Sequence, residues 1–315
     1  MRVLLIDGYS DEPGGLGVPP YLDVYPRYIY GAIKTAAPGA IVEYFTIDQV
    51  RANPEYIEKA ASRADIAILS AGVSVPGNYL SGRPAGLSDI YWFLRLRARL
   101  KVLAGPIARF GISMGGGRRL ITPKRLMELF DMVITGDPEL VIYDLIMNRG
   151  RTDRVNPGRI RACYSEIEEF ILRGTEVVLQ HPNLGKNLIV EIETYRGCAR
   201  AIVGGCSFCA DVRWGLPRFR EQRDIVREVE LLYKFGVRAI RLGRQPDFFA
   251  YKASGVGETE FPKPVPSEIE HLMAGIRRVA PRLKTLHIDN VNPGTVYHHP
   301  DESAKVIKII VKYHT

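Results

Sequence analysis

Cysteine is scarce in this chain: 315 residues hold four, and three of them fall between positions 198 and 209. A secreted domain stapled by disulfides spreads its cysteines, so the clustering excludes that class and points to metal or redox chemistry. Histidine is also sparse, with six residues and none before His181. No apolar run approaches the roughly 20 residues that a membrane-spanning helix needs, which argues against a membrane protein. Met1 leads straight into Val3-Leu4-Leu5-Ile6, with no charged leader or small-residue cleavage site, and the expected compartment is the cytoplasm. Internal repeats and low-complexity tracts are absent as well.

Hydrophobic residues make up 46% and charged residues 25%, the balance of a soluble globular protein long enough for two domains. The formal charge of +8 is unevenly placed. Residues 1–150 carry 17 basic and 15 acidic side chains, residues 151–315 carry 26 and 20, and residues 196–244 alone carry 11 and 5. The excess of the second half therefore surrounds the cysteines. It reads either as an Arg-rich solvated surface or as a basic rim for an anionic substrate such as RNA. Arg218 and Arg220, in Pro217-Arg218-Phe219-Arg220, are the candidates for that rim, with Phe219 placed to stack on an unpaired base. The competing role for these arginines is pairing with Glu221 and Asp224 at a helix start.

The first 150 residues alternate strand and helix. Short apolar runs at 2–8, 41–47, 65–71, 101–105 and 131–135 predict buried strands. Helical stretches lie between them at 23–36, 54–62, 88–99, 122–130 and 138–148, and Pro54, Pro123 and Pro138 sit where a first helical turn tolerates proline. This rhythm predicts a doubly wound (Rossmann-like) α/β domain over 1–150, with a parallel sheet covered on both faces. Residues 151–187 lose the rhythm, with a helical patch at 166–172, and read as a linker. From 188 the alternation resumes: strands at 188–194, 237–242 and 283–289, helices at 223–235 and 267–279, and a last helix from about 302. The cysteines, Gly243-Arg244-Gln245 and Asp289-Asn290 all follow strand ends, where ligands gather in parallel α/β folds.

The strongest chemical signal is the run Tyr-Arg-Gly-Cys-Ala-Arg-Ala-Ile-Val-Gly-Gly-Cys-Ser-Phe-Cys at 195–209. Three thiolates, Cys198, Cys206 and Cys209, suit three irons of a [4Fe–4S] cubane whose fourth iron stays open to a non-protein ligand. Gly197, Gly204 and Gly205 let the backbone bend closely around it. The alternative is a zinc site with Cys163 or His181 as fourth ligand, although zinc sites usually pair two short Cys/His couples.

This segment resembles the cluster loop of the radical S-adenosylmethionine superfamily, and most of all an archaeal subgroup of uncharacterised iron–sulfur oxidoreductases. RGCARAIVGGCSFC, GLPRFR, VRAIRLGRQ and LKTLHIDNVNPG carry the likeness. The superfamily's common spacing is Cys-x3-Cys-x2-Cys; here it is Cys-x7-Cys-x2-Cys, with Phe208 kept before the last cysteine. The resemblance implies that residues 188–315 form the first part of a partial (β/α) barrel. It also implies S-adenosylmethionine on the open iron, reductive cleavage to a 5′-deoxyadenosyl radical, and a reductant protein as electron donor. By the same resemblance Phe208 lies beside the adenine, and Gly243, Arg244 and Gln245 stand where the family's glycine-rich segment meets the methionine amino group. That segment is usually Gly-Gly-Glu, so here Gln245 or backbone carbonyls accept those hydrogen bonds. Asp289 and Asn290 end the third strand, within reach of ribose or substrate.

Residues 1–150 resemble the cobalamin-binding-like domain that often precedes this barrel, through Val102-Leu103-Ala104-Gly105-Pro106 and Gly136-Asp137-Pro138-Glu139. Its cobalt-ligating Asp-x-His-x-x-Gly motif is absent, so the expectation is a structural or substrate-gating domain without cobalamin. The barrel of the family has more βα units than the three found here, so a partner or a further segment is expected to complete it. A non-catalytic iron–sulfur or nucleic-acid-binding protein is the alternative function. Among weaker features, Gly115-Gly116-Gly117-Arg118-Arg119 reads as a loop that could cradle phosphate, Cys163 as a buried thiol, and His287 as a packed core histidine.

Overall fold

Continuous apolar runs dictate the first sheet. In the computed structural model, which describes residues 1–9, 21–72, 83–113, 119–207 and 209–314, they become parallel strands buried along most of their length. These are β1 (Arg2–Asp7), β2 (Ile41–Thr46), β3 (Ile66–Ser70), β4 (Leu100–Ala104) and the short β5 (Met132–Val133). Their spatial order is β2-β1-β3-β4-β5, the doubly wound arrangement. Leu4, Ile6, Ala67, Leu69 and Leu103 turn to one face, where they pack with Ile57 of α3 (Pro54–Ala61), Phe93 of α4 (Leu87–Leu94), Ile107 of α5 (Pro106–Phe110) and Leu126 of α6 (Pro123–Met127). The alternate residues Val3, Leu5, Ile68 and Val102, equally buried, turn to the other face. A second cluster joins Val24 and Tyr28 of α1 (Val24–Ala36), Leu140 of α7 (Pro138–Met147) and Phe170 and Ile171 of α8 (Glu168–Gly174). The remaining helix, α2 (Ile47–Ala52), is held at its start by a capping box between Thr46 and Gln49.

The chain divides into two units, Met1–Leu184 and Gly185–Thr315. Residues 151–184, which the sequence offers as part of a linker, fold onto the first unit. Two glycines make that possible: a Cβ at Gly31 of α1 would lie 1.7 Å from the Phe170 carbonyl oxygen, and one at Gly174 of α8 would lie 2.2 Å from the Arg27 carbonyl oxygen. The two backbones touch because each helix offers the other a residue without a side chain.

The second unit is built from β6 (Ile189–Glu193), β7 (Ala239–Gly243) and β8 (Thr285–Ile288), parallel and adjacent in the order β8-β7-β6. Val190 and Ile192 are in register with Ile240 and Leu242, and these pack on the helix side, under Ile225, Val229 and Leu232 of α9 (Gln222–Lys234) and Ile269, Leu272 and Ile276 of α10 (Pro266–Val279). The opposite face carries Glu191 and Glu193 in register with Arg241 and Gly243, and His287 opposite Arg241. Helices α11 (Pro293–His298) and α12 (Pro300–Tyr313) follow. Of these, α2, α5 and α11 are short elements absent from the sequence reading, and α4 stops at Leu94, five residues before the expected end. Among the described residues no helix is long and apolar enough to cross a membrane.

Candidate metal centre and strand-end site

All three clustered cysteines sit on one loop whose base is sewn shut. Tyr195 and Arg196 pair antiparallel with Phe219 and Arg218. The Tyr195 ring meets Phe219 edge-on at 5.1 Å and Phe219 meets Tyr251 at 5.8 Å. The Tyr195 hydroxyl donates to the Asp247 carbonyl at 2.5 Å, and the Tyr251 hydroxyl to the Arg220 carbonyl at 2.8 Å. Trp214 lies beneath two guanidinium groups, Arg196 at 4.3 Å and Arg213 at 4.5 Å from its ring. Cys198 N–H donates to the Gly215 carbonyl at 2.9 Å.

The seven residues between Cys198 and Cys206 form a compact spacer. Residues Ala199–Val203 make a 3₁₀ turn, ended by Gly204 and Gly205 with φ of 83° and 78°, a left-handed pair that sends the chain back. Gly205 N–H donates to the Arg200 carbonyl at 2.9 Å, and Cys209 N–H to the Cys206 carbonyl at 3.1 Å. The turn brings the Arg200 guanidinium to Cys206, with Nη1 2.9 Å from Sγ, while its Nε is 2.9 Å from Glu260 Oε2. All three cysteines are free thiols, Cys198 buried and the other two half-buried. Burial pushes the Cys198 thiol up, and it pushes Cys209 up to about 11.

At the strand ends one amide ties three elements together. Gln245 is buried, and its Oε1 accepts from Thr194 Oγ1 at 2.8 Å, just beyond β6. Its Nε2 donates to the Leu242 carbonyl at 2.9 Å and to the Asp289 carbonyl at 2.8 Å, just beyond β8. Asn290 Nδ2 returns a bond to the Gln245 carbonyl at 3.1 Å. The structure thus brings Gly243, Arg244, Gln245, Asp289 and Asn290 together. Arg244 and Asn290 both adopt left-handed backbone, with φ of 63° and 59°; asparagine tolerates this and arginine does so at a cost. The Asp289 carboxylate pairs with the Arg241 guanidinium. Gly243 leaves room for Glu191, whose Oε1 would stand 2.2 Å from a Cβ there. Phe208 lies outside the described residues, as do Gly115, Gly116, Gly117 and Arg118 of the candidate phosphate loop.

Sequence reasoning passed over Glu191, Glu193 and Arg241, the charged face of the second sheet. The signal was there: IVEIE, AIRLG and TLHI alternate, whereas LLID and IAILS do not. Three other readings are corrected. Arg220 is not on an RNA-facing rim: it is fully buried, pairing with Glu228 at 2.6 Å and donating to the Glu193 carbonyl at 3.1 Å. Cys163 is exposed rather than buried, with its sulfur 2.9 Å from Ser165 Oγ. His287 is exposed: it lies on the face of β8 turned away from the helices, and β8 is the edge strand of the sheet.

Three cysteines on one loop are a donor set that an iron–sulfur cubane would suit. Among the described residues no group of three or more His, Cys, Asp or Glu side chains is gathered tightly enough to hold one metal ion. The loop holds three free thiols, and the Arg200 guanidinium stands against the Cys206 sulfur.

No family model matches the chain. An uncharacterized protein of Methanocaldococcus jannaschii is 44% identical over 316 residues, covering 100% of this chain and 56% of its own length. One of Archaeoglobus fulgidus is 42% identical over 316 residues, covering 100% and 53%. The chain spans about half the length of these curated relatives. Among solved structures, the cobalamin-dependent S-adenosylmethionine radical enzyme OxsB, with aqua-cobalamin and S-adenosylmethionine bound, superposes with a TM-score of 0.63 at 15% identity, over 98% of this chain and 41% of that one. The radical S-adenosylmethionine methyltransferase TsrM from Kitasatospora setae, with cobalamin and a [4Fe-4S] cluster bound, gives 0.54 at 15% identity, over 99% and 67%. The chain has the fold of cobalamin-dependent radical S-adenosylmethionine enzymes. At this identity the shared fold describes the path of the backbone, and the chemistry has to be argued from the side chains.

Proposed function

We propose that Cys198, Cys206 and Cys209 hold a [4Fe–4S] cluster and that the chain acts as a radical S-adenosylmethionine enzyme. The observation that carries this reading is the closed loop itself: three free thiols directly after a parallel strand, on a fold shared with such enzymes. When bound, the cluster supplies the electron that cleaves S-adenosylmethionine to methionine and a 5′-deoxyadenosyl radical. The chain's own part is positional. Gly197, Gly204 and Gly205, all at positive φ, give the loop the turns that set the three cysteines on it. Gly243, Arg244, Gln245, Asp289 and Asn290 form the rim that would hold S-adenosylmethionine. With the Gln245 amide engaged at both ends and the Asp289 carboxylate paired with Arg241, backbone carbonyls at the strand ends would accept from the methionine ammonium. Phe208 is assigned to the adenine through the family resemblance.

An RNA substrate is proposed on the strength of the charge excess around the loop. With Arg220 buried, the supporting surface moves to the groove between α9 and α10, of about 530 Å³, where Arg223, Arg227 and Arg278 outnumber Glu221 and Glu230 by one charge. A reductant protein supplies the electron. A corrin held by the first unit would draw no imidazole ligand from residues 1–180, which contain no histidine. The second reading is a cluster carrier without turnover.

Anaerobic reconstitution is expected to load about four irons per chain. Alanine at Cys198, Cys206 or Cys209 abolishes the cluster and Cys163→Ala spares it. Saturating S-adenosylmethionine changes the reduced cluster's EPR spectrum, and 5′-deoxyadenosine is released. Zinc in place of iron, or cluster loss in Cys163→Ala, overturns the assignment. An unchanged spectrum without 5′-deoxyadenosine leaves the carrier reading.

A further inference from the structure

The spacer between Cys198 and Cys206 is the part of the loop that the general chemistry does not explain, since three thiolates bind three irons whatever separates them. In this chain the spacer places one cation. Arg200 sits in the 3₁₀ turn, and the left-handed Gly204–Gly205 pair folds the chain back until Cys206 faces the guanidinium. Three contacts hold Arg200 there: Nη1 to Cys206 Sγ at 2.9 Å, Nε to Glu260 Oε2 at 2.9 Å, and its guanidinium over the Phe261 ring at 5.6 Å. Phe261 is itself fixed, stacked on His298 at 5.0 Å, with its carbonyl 2.9 Å from His299 Nε2. Arg200 is about a quarter exposed, 28% by side chain, so its charge is only partly screened. A planar guanidinium anchored through Nε cannot swing as a lysine would, and one of its remaining N–H groups is committed to the sulfur.

Hydrogen bonds and positive charge at a ligating sulfur draw electron density from the cluster and favour its reduced, more negative state. We propose that Arg200, carried by the long spacer and braced by Glu260 and Phe261, is a positioning residue that sets the reduction potential of the cluster through the Cys206 sulfur. The inference rests on the cluster assignment made above. It gives the departure from the common spacing a purpose: the extra residues bring in a cation that makes the one-electron reduction easier.

The test is an EPR-monitored redox titration of the reconstituted full chain, with iron content measured in parallel. Arg200→Gln is expected to keep its iron and to need a lower potential. At any fixed potential its ratio of reduced to oxidised cluster falls about tenfold, equal to about 59 mV for a one-electron couple. Arg200→Lys, which keeps the charge and loses the planar fork, falls between the two. An Arg200→Gln cluster with full iron and the wild-type potential overturns the proposal. If Arg200→Gln holds no iron, the wild-type chain labelled with ¹⁵N-arginine answers instead. Its reduced cluster then shows pulsed-EPR coupling to an arginine nitrogen, and the absence of that coupling overturns the proposal. A wild-type chain that takes up no iron fails the cluster assignment instead, so the two failures are distinct.

Discussion

The two sheets of this protein follow the same strand–helix rhythm and use it differently. In the first unit both faces of the central strands are apolar: Ile66–Ser70 is buried at every position, with Ile68 at 0% exposure. In the second, Val190 and Ile192 lie under helices while Glu191 and Glu193 face the other way, still only 2% exposed. A parallel sheet with helices on both sides must be apolar on both sides; one that curls toward a barrel has an inner face free to carry charge. The comparison teaches that a doubly wound sheet and the start of a barrel are told apart by the second face of each strand.

The sharpest way to break that comparison is to swap the faces. Ile68→Glu is expected to cost at least about 3–5 kcal/mol, since nothing at that site can pair with the charge, and to remove the first unit's cooperative melt. Glu191→Gln, at an inner position of the second sheet, is expected to cost only about 1–3 kcal/mol. Equal losses in a paired thermal-denaturation experiment would end the distinction.

Next in size is the buried ion pair of Arg220 and Glu228, both fully buried. Arg220→Ala is expected to lose about 3–5 kcal/mol because it strands the glutamate. Arg220→Met with Glu228→Leu recovers most of it, since a matched apolar pair leaves no stranded charge. A double-mutant cycle by denaturant titration checks both.

The first unit has its own charged feature at a strand end. Asp7 accepts from the Tyr44 hydroxyl at 2.7 Å and from the Tyr9 N–H at 2.8 Å, and burial raises its pKa from the ordinary 3.8 to about 7. Between those values the native state keeps a proton that the unfolded chain has released. Stability therefore falls as pH rises from about 4 towards 7 and levels off above, by at most about 4 kcal/mol. Asp7→Asn should flatten that slope, as read by melts across the same range.

The smallest effect separates two neighbours. Arg244→Gly is expected to stabilise by up to about 1 kcal/mol through relief of its left-handed backbone. Gly243→Ala is expected to destabilise, because its Cβ would collide with Glu191. Melting temperatures of the two variants should move in opposite directions.

Much of this was legible in the sequence for a physical reason: features set by near neighbours leave local marks. Apolar runs marked β1, β3, β4, β6 and β8, and Pro54, Pro123 and Pro138 each occupy a first helical turn. That three cysteines share one loop follows from their nearness in the sequence. What failed depended on distant partners. Arg220 stood between residues that looked solvated, and its burial is decided by Glu228, eight residues on, and by Glu193 on another strand. The close crossing of α1 and α8 depends on Gly31 meeting a helix some 140 residues later, so residues 151–184 gave no sign of where they would pack. His287 read as core because its neighbours are apolar; its exposure follows from its place on the edge strand, which only the pairing of the strands decides.

Gln245 has a consequence beyond its place on the rim. Its carboxamide carries no proton that solvent can take away, so the bonds to Thr194, Leu242 and Asp289 keep the same donors and acceptors as the surroundings turn acidic or alkaline. A carboxylate in its place would accept and could not donate, and the two carbonyls it now satisfies would be left repelling it. The three strand ends are thereby held as one piece, and amide exchange at their tips should report a single shared opening event, with no strand fraying alone.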